Sequence, residues 1–375
     1  MNAIFCIIIL LINSCLHASI CLNMIVKDEA PVILKALESA KPIIDYWVIV
    51  DTGSTDGTQD LICSFMQDIP GELHERPWVD FAHNRNEALE LALGKTDYIL
   101  FLDADDYLSY TENFSLQRLD QESYYIRIKN GSLVYFRHML VNADLNWKWT
   151  GVLHEYISCS KNVQASYLDG ITNICVSNGH RSTDPQKYAK DALILEKALI
   201  KEPENERYVF YLAQSYRDAG DYELALKNYQ KRIELKGWQE EVFWSMFEVS
   251  RLKELLDYPA DSIIDSYYNT YLYRPTRAEP LCRLANYYRR NKKYQAGYEI
   301  AFKGLSLEKP TDLLFVQNNV YEWDLLLEFS ICAYWIENYN EALLSSLLIL
   351  KNENLPKHVR ECVEKNIFWI HSNLH

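Results

Sequence analysis

The segment ILFLDADDYL, residues 99–108, runs an apolar stretch straight into three carboxylates, Asp103, Asp105 and Asp106. Carboxylates this close repel one another and resist leaving water, so the arrangement makes chemical sense when a cation sits among them. Strand side chains alternate with period two, which predicts that Asp103 and Asp105 leave the strand end on the same side, as paired oxygen ligands for a hard divalent ion. Other polar residues gather behind apolar runs in the same way. Lys27, Asp28 and Glu29 follow SICLNMIV, and Asp51 opens DTGST after YWVIV. The Asp51 carboxylate can accept a hydrogen bond from a nucleobase N–H or a ribose hydroxyl, and it can equally serve the turn and helix that follow. Glu29 can contact a nucleotide or simply open a helix.

The elements that hold these residues are predicted by alternation. Strands are expected at SICLNMIV, YWVIVDTG, GELHERPW and YILFLDADD, and helices at APVILKALESAKPI, DGTQDLICSFMQDI and FAHNRNEALELALGK. This order implies a Rossmann-like, mostly parallel sheet with crossover helices, whose ligands collect at the carboxyl ends of the strands. The acidic residues fall there. From 123 to 180, YYIRIKNG, LVYFRHMLV and WKWTGVLHEYI predict a mixed or antiparallel extension of that sheet, with Asn130-Gly131 as a hairpin turn. After Pro185 the pattern is helical, and YLAQSYRDAGDYELALKNYQKRIEL (211–235) is echoed at 283–307 and more weakly at 329–353. Ala213 and Ala225 against Tyr216 and Tyr229 follow the rhythm of stacked helix pairs, although Gly297 stands where the second copy should carry alanine. Three units follow: a hydrophobic segment over 1–18, an α/β domain over 19–183 and an all-α repeat domain over 184–375.

Composition narrows the function classes. With 49% hydrophobic and 24% charged residues, the chain of 375 residues can bury a sizeable core. A net charge of -14 without a local basic patch argues against nucleic acid as a partner. The nine cysteines never form a C-x-x-C pair, so buried thiols are expected rather than zinc or a disulfide framework. IFCIIILLI, residues 4–12, reads as a signal peptide cleaved near Ala18 or as the extension of a cytosolic protein. No Lys or Arg precedes it, so a cytoplasmic location is preferred over a secretory lumen or membrane attachment. In a lumen, the sequons at Asn113 and Asn130 would matter.

Four ordered segments, VDTGSTDGT, PWVDFAHNRNEAL, LDADD and WTGVLHEYI, resemble family 2 glycosyltransferases with the GT-A fold, in particular the lipopolysaccharide-core glucosyltransferases. The helical segments resemble tetratricopeptide repeats. The resemblance implies a nucleotide-sugar donor and a divalent metal, Mn2+ or Mg2+, with Asp105 as the more direct ligand and Asp103 reaching ribose or metal. It implies that Arg85 points at the nucleotide or pyrophosphate, where a planar guanidinium matches phosphate, the alternative being an ion pair with the acidic cluster. It places His180 near the metal as a third ligand. An inverting transferase needs a carboxylate near the anomeric carbon to take the acceptor's proton, and Glu155 is expected in that role with Asp106 as its rival. Trp149 stacks on a sugar face or fills core.

The leading expectation is therefore metal-dependent, inverting transfer of a glycosyl group to a saccharide, lipid or protein acceptor. The alternative is a catalytically inactive transferase-like domain carrying a tetratricopeptide scaffold for a protein partner or self-association. A nucleotidyltransferase is disfavoured, because NMIVKDEAP is not a glycine- and lysine-rich phosphate loop.

Overall fold

Short, strongly apolar strands set the frame. The computed structural model describes residues 18–131, 133–176, 179, 181 and 184–373, so the segment up to residue 17 and His180 lie outside the described residues. Strand β1 (Ile20–Val26), helix α1 (Ile33–Ala40), β2 (Tyr46–Asp51), α2 (Thr58–Phe65), β3 (Gly71–Glu75), α3 (Phe81–Ala92) and β4 (Tyr98–Phe101) alternate along the chain. The four strands lie in the order β3-β2-β1-β4, all parallel. β1, β2 and β4 are apolar almost throughout because both faces are covered. Ile33, Leu37 and Ile62 of α1 and α2 pack one face, and Leu89 and Ala92 of α3 pack the other. The order turns back between β1 and β4, which opens a crevice beyond their carboxyl ends.

Two expectations are corrected at the acidic cluster. β4 stops at Phe101, and residues 103–105 form a turn in which the Asp106 amide donates to the Asp103 carbonyl at 3.1 Å. The period-two argument for Asp103 and Asp105 therefore does not apply, because the chain is no longer extended there. Asp106 instead opens a strand the sequence reading missed, β5 (Asp106–Tyr110).

The sheet continues through β6 (Ser123–Asn130) and β7 (Leu133–Asn142), joined at the expected Asn130-Gly131 turn, where Gly131 takes a φ of 57°. β8 (Trp147–Thr150) and β9 (Tyr156–Cys159) were expected to extend the main sheet, but they pair as a separate two-stranded ribbon. Trp147 and Trp149 alternate inward from β8 onto α3 and join its core, and so peel the ribbon away from the sheet edge. β10 (Ala165–Cys175) returns to the main sheet, whose order beyond β4 is β7-β6-β10-β5, with antiparallel β4/β7, β6/β7 and β5/β10 pairs and a parallel β6/β10 pair.

After α4 (Lys187–Lys201) come the hairpins α5 (Glu206–Ala219) with α6 (Tyr222–Leu235) and α7 (Gln239–Leu255) with α8 (Ala260–Tyr273). α9 (Glu279–Arg290) with α10 (Tyr294–Leu305) follows, and then α11 (Leu325–Trp335), α12 (Tyr339–Leu350) and α13 (Lys357–His371). Ala213, Ala225 and Tyr229 are fully buried where small residues meet large ones between α5 and α6. Gly297 is required: an alanine Cβ there would lie 2.8 Å from Cys332 Sγ of α11 and 3.3 Å from the Ala285 carbonyl. Every cysteine among the described residues carries a free thiol.

The helices do not hang from the sheet as a separate module. Between α10 and α11 the chain forms β11 (Val316–Gln317), which pairs antiparallel with β7. Phe81, Leu133, Val152 and Leu153 from the sheet side pack into the same apolar cluster as Tyr208, Phe210 and Leu212 of α5. No described helix is long and apolar enough to cross a membrane.

Candidate active site

The carboxyl ends of β1, β2 and β4 bring Glu29, Asp51 and Asp103 to one rim of the sheet. Asp51, the last residue of β2, is fully buried. Its Oδ1 accepts from the Gly53 and Ser54 amides at 2.8 Å each, which makes it the turn former of DTGST. It does not cap α2, whose N-cap is Gly57. Its Oδ2 is buried and without a hydrogen-bond partner among the described residues. A buried carboxylate oxygen left unpaired costs on the order of 1–3 kcal/mol, so a donor from a ligand is the natural complement.

Glu29 follows β1, and its amide donates to Thr58 Oγ1 at 2.9 Å, tying the β1 loop to the start of α2. Its carboxylate lies against Gly179. A Cβ on that glycine would meet both Glu29 carboxylate oxygens and Asp105 Oδ2 at 3.0 Å, and the Gly179 amide donates to Asp105 Oδ2 at 3.2 Å. Glu29 and Asp105 thus converge on one small residue just before the helical region.

Arg85 occupies the centre. It is buried on α3 and donates through Nη2 to Asp103 Oδ1 at 2.5 Å and through Nε to Glu155 Oε1 at 2.6 Å. Burial works against its charge, but Asp103 and Glu155 outweigh it and hold the guanidinium above its ordinary pKa. Asp103 has a second cation in Arg137 of β7, 3.7 Å away, and the two arginines keep its carboxyl below the usual range despite burial. The sequence reading aimed Arg85 at a pyrophosphate; in the structure it ion-pairs with the acidic cluster, the alternative weighed for it. Arg137 was missed, although a lone arginine inside the apolar run LVYFRHMLV was a readable signal.

Asp106 lies behind this cluster, 6% exposed. Its Oδ2 accepts from Asn173 Nδ2 at 2.7 Å and from the Cys175 thiol at 3.2 Å, both on β10. Burial first, then the charge of Asp103, push its pKa up to about 7, against the lowering effect of those two hydrogen bonds. Trp149 is only 2% exposed, so it has no open face for a sugar. Its ring meets Phe101 edge-on at 4.9 Å and lies under the Arg85 guanidinium at 4.9 Å, which makes it the floor that orients Arg85.

Glu155 sits in the bend between β8 and β9, where Gly151 and His154 take φ values of 117° and 50°. The His154 ring stacks on Tyr211 of α5 with centroids 3.9 Å apart and planes 9° from parallel. His154 is exposed on one side, and desolvation by the groups packed around it, with the charges of Arg207, Arg181, Lys187 and Arg137, pushes its imidazole below its ordinary pKa.

Among the described residues no three His, Cys, Asp or Glu side chains form a ready metal cluster. A divalent ion bound through one or two carboxylates, with donor phosphates and waters completing its shell, needs no such cluster. Asp105 and Glu29, facing the same glycine, supply oxygens of the right hardness, so these residues fit a magnesium- or manganese-type ion. Asp103, held by two arginines, fits that role less well.

Residues 21–116 match the family model described as glycosyl transferase family 2. These residues form a family 2 glycosyltransferase domain. It contains Glu29, Asp51, Arg85, Asp103, Asp105 and Asp106, whereas Trp149 and Glu155 lie beyond the matched stretch. The chain is 25% identical over 232 residues to the SPbeta prophage-derived glycosyltransferase SunS of Bacillus subtilis, across 56% of this chain and 53% of that one. It is 38% identical over 92 residues to a TPR repeat-containing protein of Synechococcus elongatus, across 24% of this chain and 21% of that one. An uncharacterized glycosyltransferase of Rickettsia felis is 33% identical over 86 residues, across 23% and 28%. The chain thus spans about half the length of one of these curated relatives and under a third of the others. A crystal structure of MamA shares a distant likeness, covering 44% of this chain and 89% of its own at 15% identity and a TM-score of 0.37. Behind the family 2 domain the helical hairpins are tetratricopeptide-like.

Proposed function

We propose that the protein transfers a glycosyl group, with inversion, from a nucleotide-sugar to an acceptor, aided by a divalent ion. The observation that carries this reading is the unpaired, buried Oδ2 of Asp51 at the carboxyl end of β2, inside the stretch that matches family 2. There it accepts a hydrogen bond from a base N–H or ribose hydroxyl. Asp105, with Glu29 beside it and His180 as the further ligand that resemblance implies, would hold the ion. When bound, that ion supplies positive charge against the donor's diphosphate.

The chain's own residues do the rest. Arg85 and Arg137 hold Asp103 ionised and in place at the rim. Arg85 also fixes Glu155, which accepts the acceptor hydroxyl's proton as that oxygen attacks the anomeric carbon opposite the departing diphosphate. Asp106, buried and with its pKa raised, ties the end of the acidic turn to Asn173 and Cys175 of β10. Trp149 keeps Arg85 aimed.

The test is release of nucleoside diphosphate from UDP-glucose, UDP-galactose, UDP-N-acetylglucosamine and GDP-mannose, with and without Mn2+ or Mg2+, run beside Asp105→Ala. Wild-type release that needs the metal and drops at least tenfold in the variant supports the reading. Equal release by both proteins, or none with any donor, removes it and leaves a transferase-like scaffold.

A further inference from the structure

The helix that packs on the bend before Glu155 belongs to the repeat region, not to the family 2 domain. Arg207 of α5 donates through both Nε and Nη2 to the His154 carbonyl, at 3.0 and 2.8 Å. Its guanidinium also lies over the rings of Tyr156 and Tyr211, 5.0 and 4.8 Å from their centroids, and its Nη1 is 3.7 Å from Glu241 Oε1 of α7. Glu241 is in turn held by the fully buried Arg232 of α6 at 3.0 Å. One turn along α5, Tyr211 stacks flat on the His154 ring. Leu153 and Val152, from the same bend, sink into the α5 core. Three consecutive residues before Glu155 are therefore fixed by the helical region, while Glu155 itself is gripped from the sheet side by Arg85 at 2.6 Å.

The bend needs that support. It has left-handed backbone at both Gly151 and His154, and a non-glycine residue at positive φ persists only where its surroundings over-determine it. A carboxylate at the end of a five-residue bend without anchors would sample positions far wider than proton transfer tolerates, since the acceptor proton must lie within hydrogen-bond reach.

We propose that α5 is a positioning element of the catalytic site, with Arg207 and Tyr211 as the positioning residues that set the place of Glu155 by clamping His154. The inference rests on Glu155 being the base of the proposed transfer. It makes the first helical hairpin half of the active site, so the transferase domain and the repeats operate as one unit.

The experiment uses the full chain and two readouts. The first is the imidazole proton shift of His154 by NMR in histidine-labelled protein, which the Tyr211 ring moves upfield by its ring current. The second is kcat and donor KM with whichever nucleotide-sugar of the panel above is turned over fastest. In Arg207→Ala the His154 signal is expected to move toward its free-solution position, and kcat to fall at least tenfold with donor KM within about twofold of wild type. Tyr211→Leu behaves in the same way. Tyr211→Phe, which keeps the stacked ring, retains both the shift and the rate, a rescue that loss of general stability would not show. Should Arg207→Ala fail to fold, Arg207→Lys keeps the charge but not the two-pronged grip and is expected to show the same split. An unmoved His154 signal in both Arg207→Ala and Tyr211→Leu, or a displaced signal with wild-type kcat, overturns the inference. A wild-type protein inactive with every donor overturns the proposed function instead, and the His154 signal still reports whether α5 clamps the bend.

Discussion

At the scale of single residues, Asp51 and Asp106 show how one carboxylate waits for a partner while another is kept from ionising. Asp51→Asn can keep the amides of Gly53 and Ser54 on its oxygen while turning the unpaired acceptor into an N–H donor. Binding of UDP, followed by titration calorimetry, is expected to weaken by about 1–3 kcal/mol, with little change in melting temperature. Asp106, with its pKa raised from 3.8 to about 7, binds more proton in the folded than in the unfolded chain between those values. The contribution of the protonated form to stability is therefore full below about pH 4 and is lost as pH rises through about 7, up to roughly 4 kcal/mol in all. Asp106→Asn does not lose it. In EDTA the melting temperature of the variant should gain on wild type by several degrees between pH 4.5 and pH 8, and a constant difference would contradict the raised pKa. Asp51 and Glu29 could be picked from the sequence because they sit where parallel strands end. The pairing of Arg85 with the acidic cluster was one of two alternatives the sequence left open, whereas its second partner, Glu155, could not be picked, since ion pairing across 70 residues leaves no local pattern. Trp149 was ambiguous for a related reason: a tryptophan on a short strand packs or stacks according to what faces it, and here α3 does.

At the scale of elements, periodicity reports what a segment does with its own apolar residues and is silent on where a neighbour lies. The parallel β1–β4 frame was legible for that reason, as were the hairpins that begin at α5, α9 and α11. β5 was hidden because its first residue reads as part of an acidic turn. The β8–β9 ribbon reads like any other pair of strands until α3 takes its two tryptophans. The α7–α8 hairpin escaped the repeat comparison because α7 buries charge, with Glu241 and Glu248 in its core. Gly297 looked like a departure from the repeat and proves to be a close-packing requirement. Gly297→Ala should gain about 1 kcal/mol of helix propensity and lose about 1–3 kcal/mol to overpacking against Cys332. The net expectation is a lower urea midpoint, with Cys332→Ala in the same chain recovering part of it.

At the scale of the whole molecule, sheet and helices are strapped together by the segment that ends in β11. Arg277, fully buried, donates to Glu279 at 2.8 and 2.9 Å, to Asp312 at 3.0 Å, and to the carbonyls of Leu314 and Phe315. Phe315 then reaches Tyr135 of β7, with centroids 5.8 Å apart. Asp312 keeps the two-pronged grip of Arg274, but the buried Glu279 loses its cation and retains only the Tyr321 hydroxyl and the Gln317 amide, so Arg277→Ala is expected to cost about 3–5 kcal/mol. The shared core predicts one calorimetric transition for wild type rather than two, and resolved peaks for the α/β and helical parts would refute it. None of this could be read from sequence, because two residues of strand inside a helical array carry no periodicity at all. The strap also sets a schedule for synthesis. β7 leaves the ribosome well before Val316 and Gln317, about 10–35 s at ordinary elongation rates. Through that interval one stretch of its backbone is an open edge that any neighbouring nascent chain can join. Newly made copies of this protein should therefore need holding by chaperones until the late strand arrives.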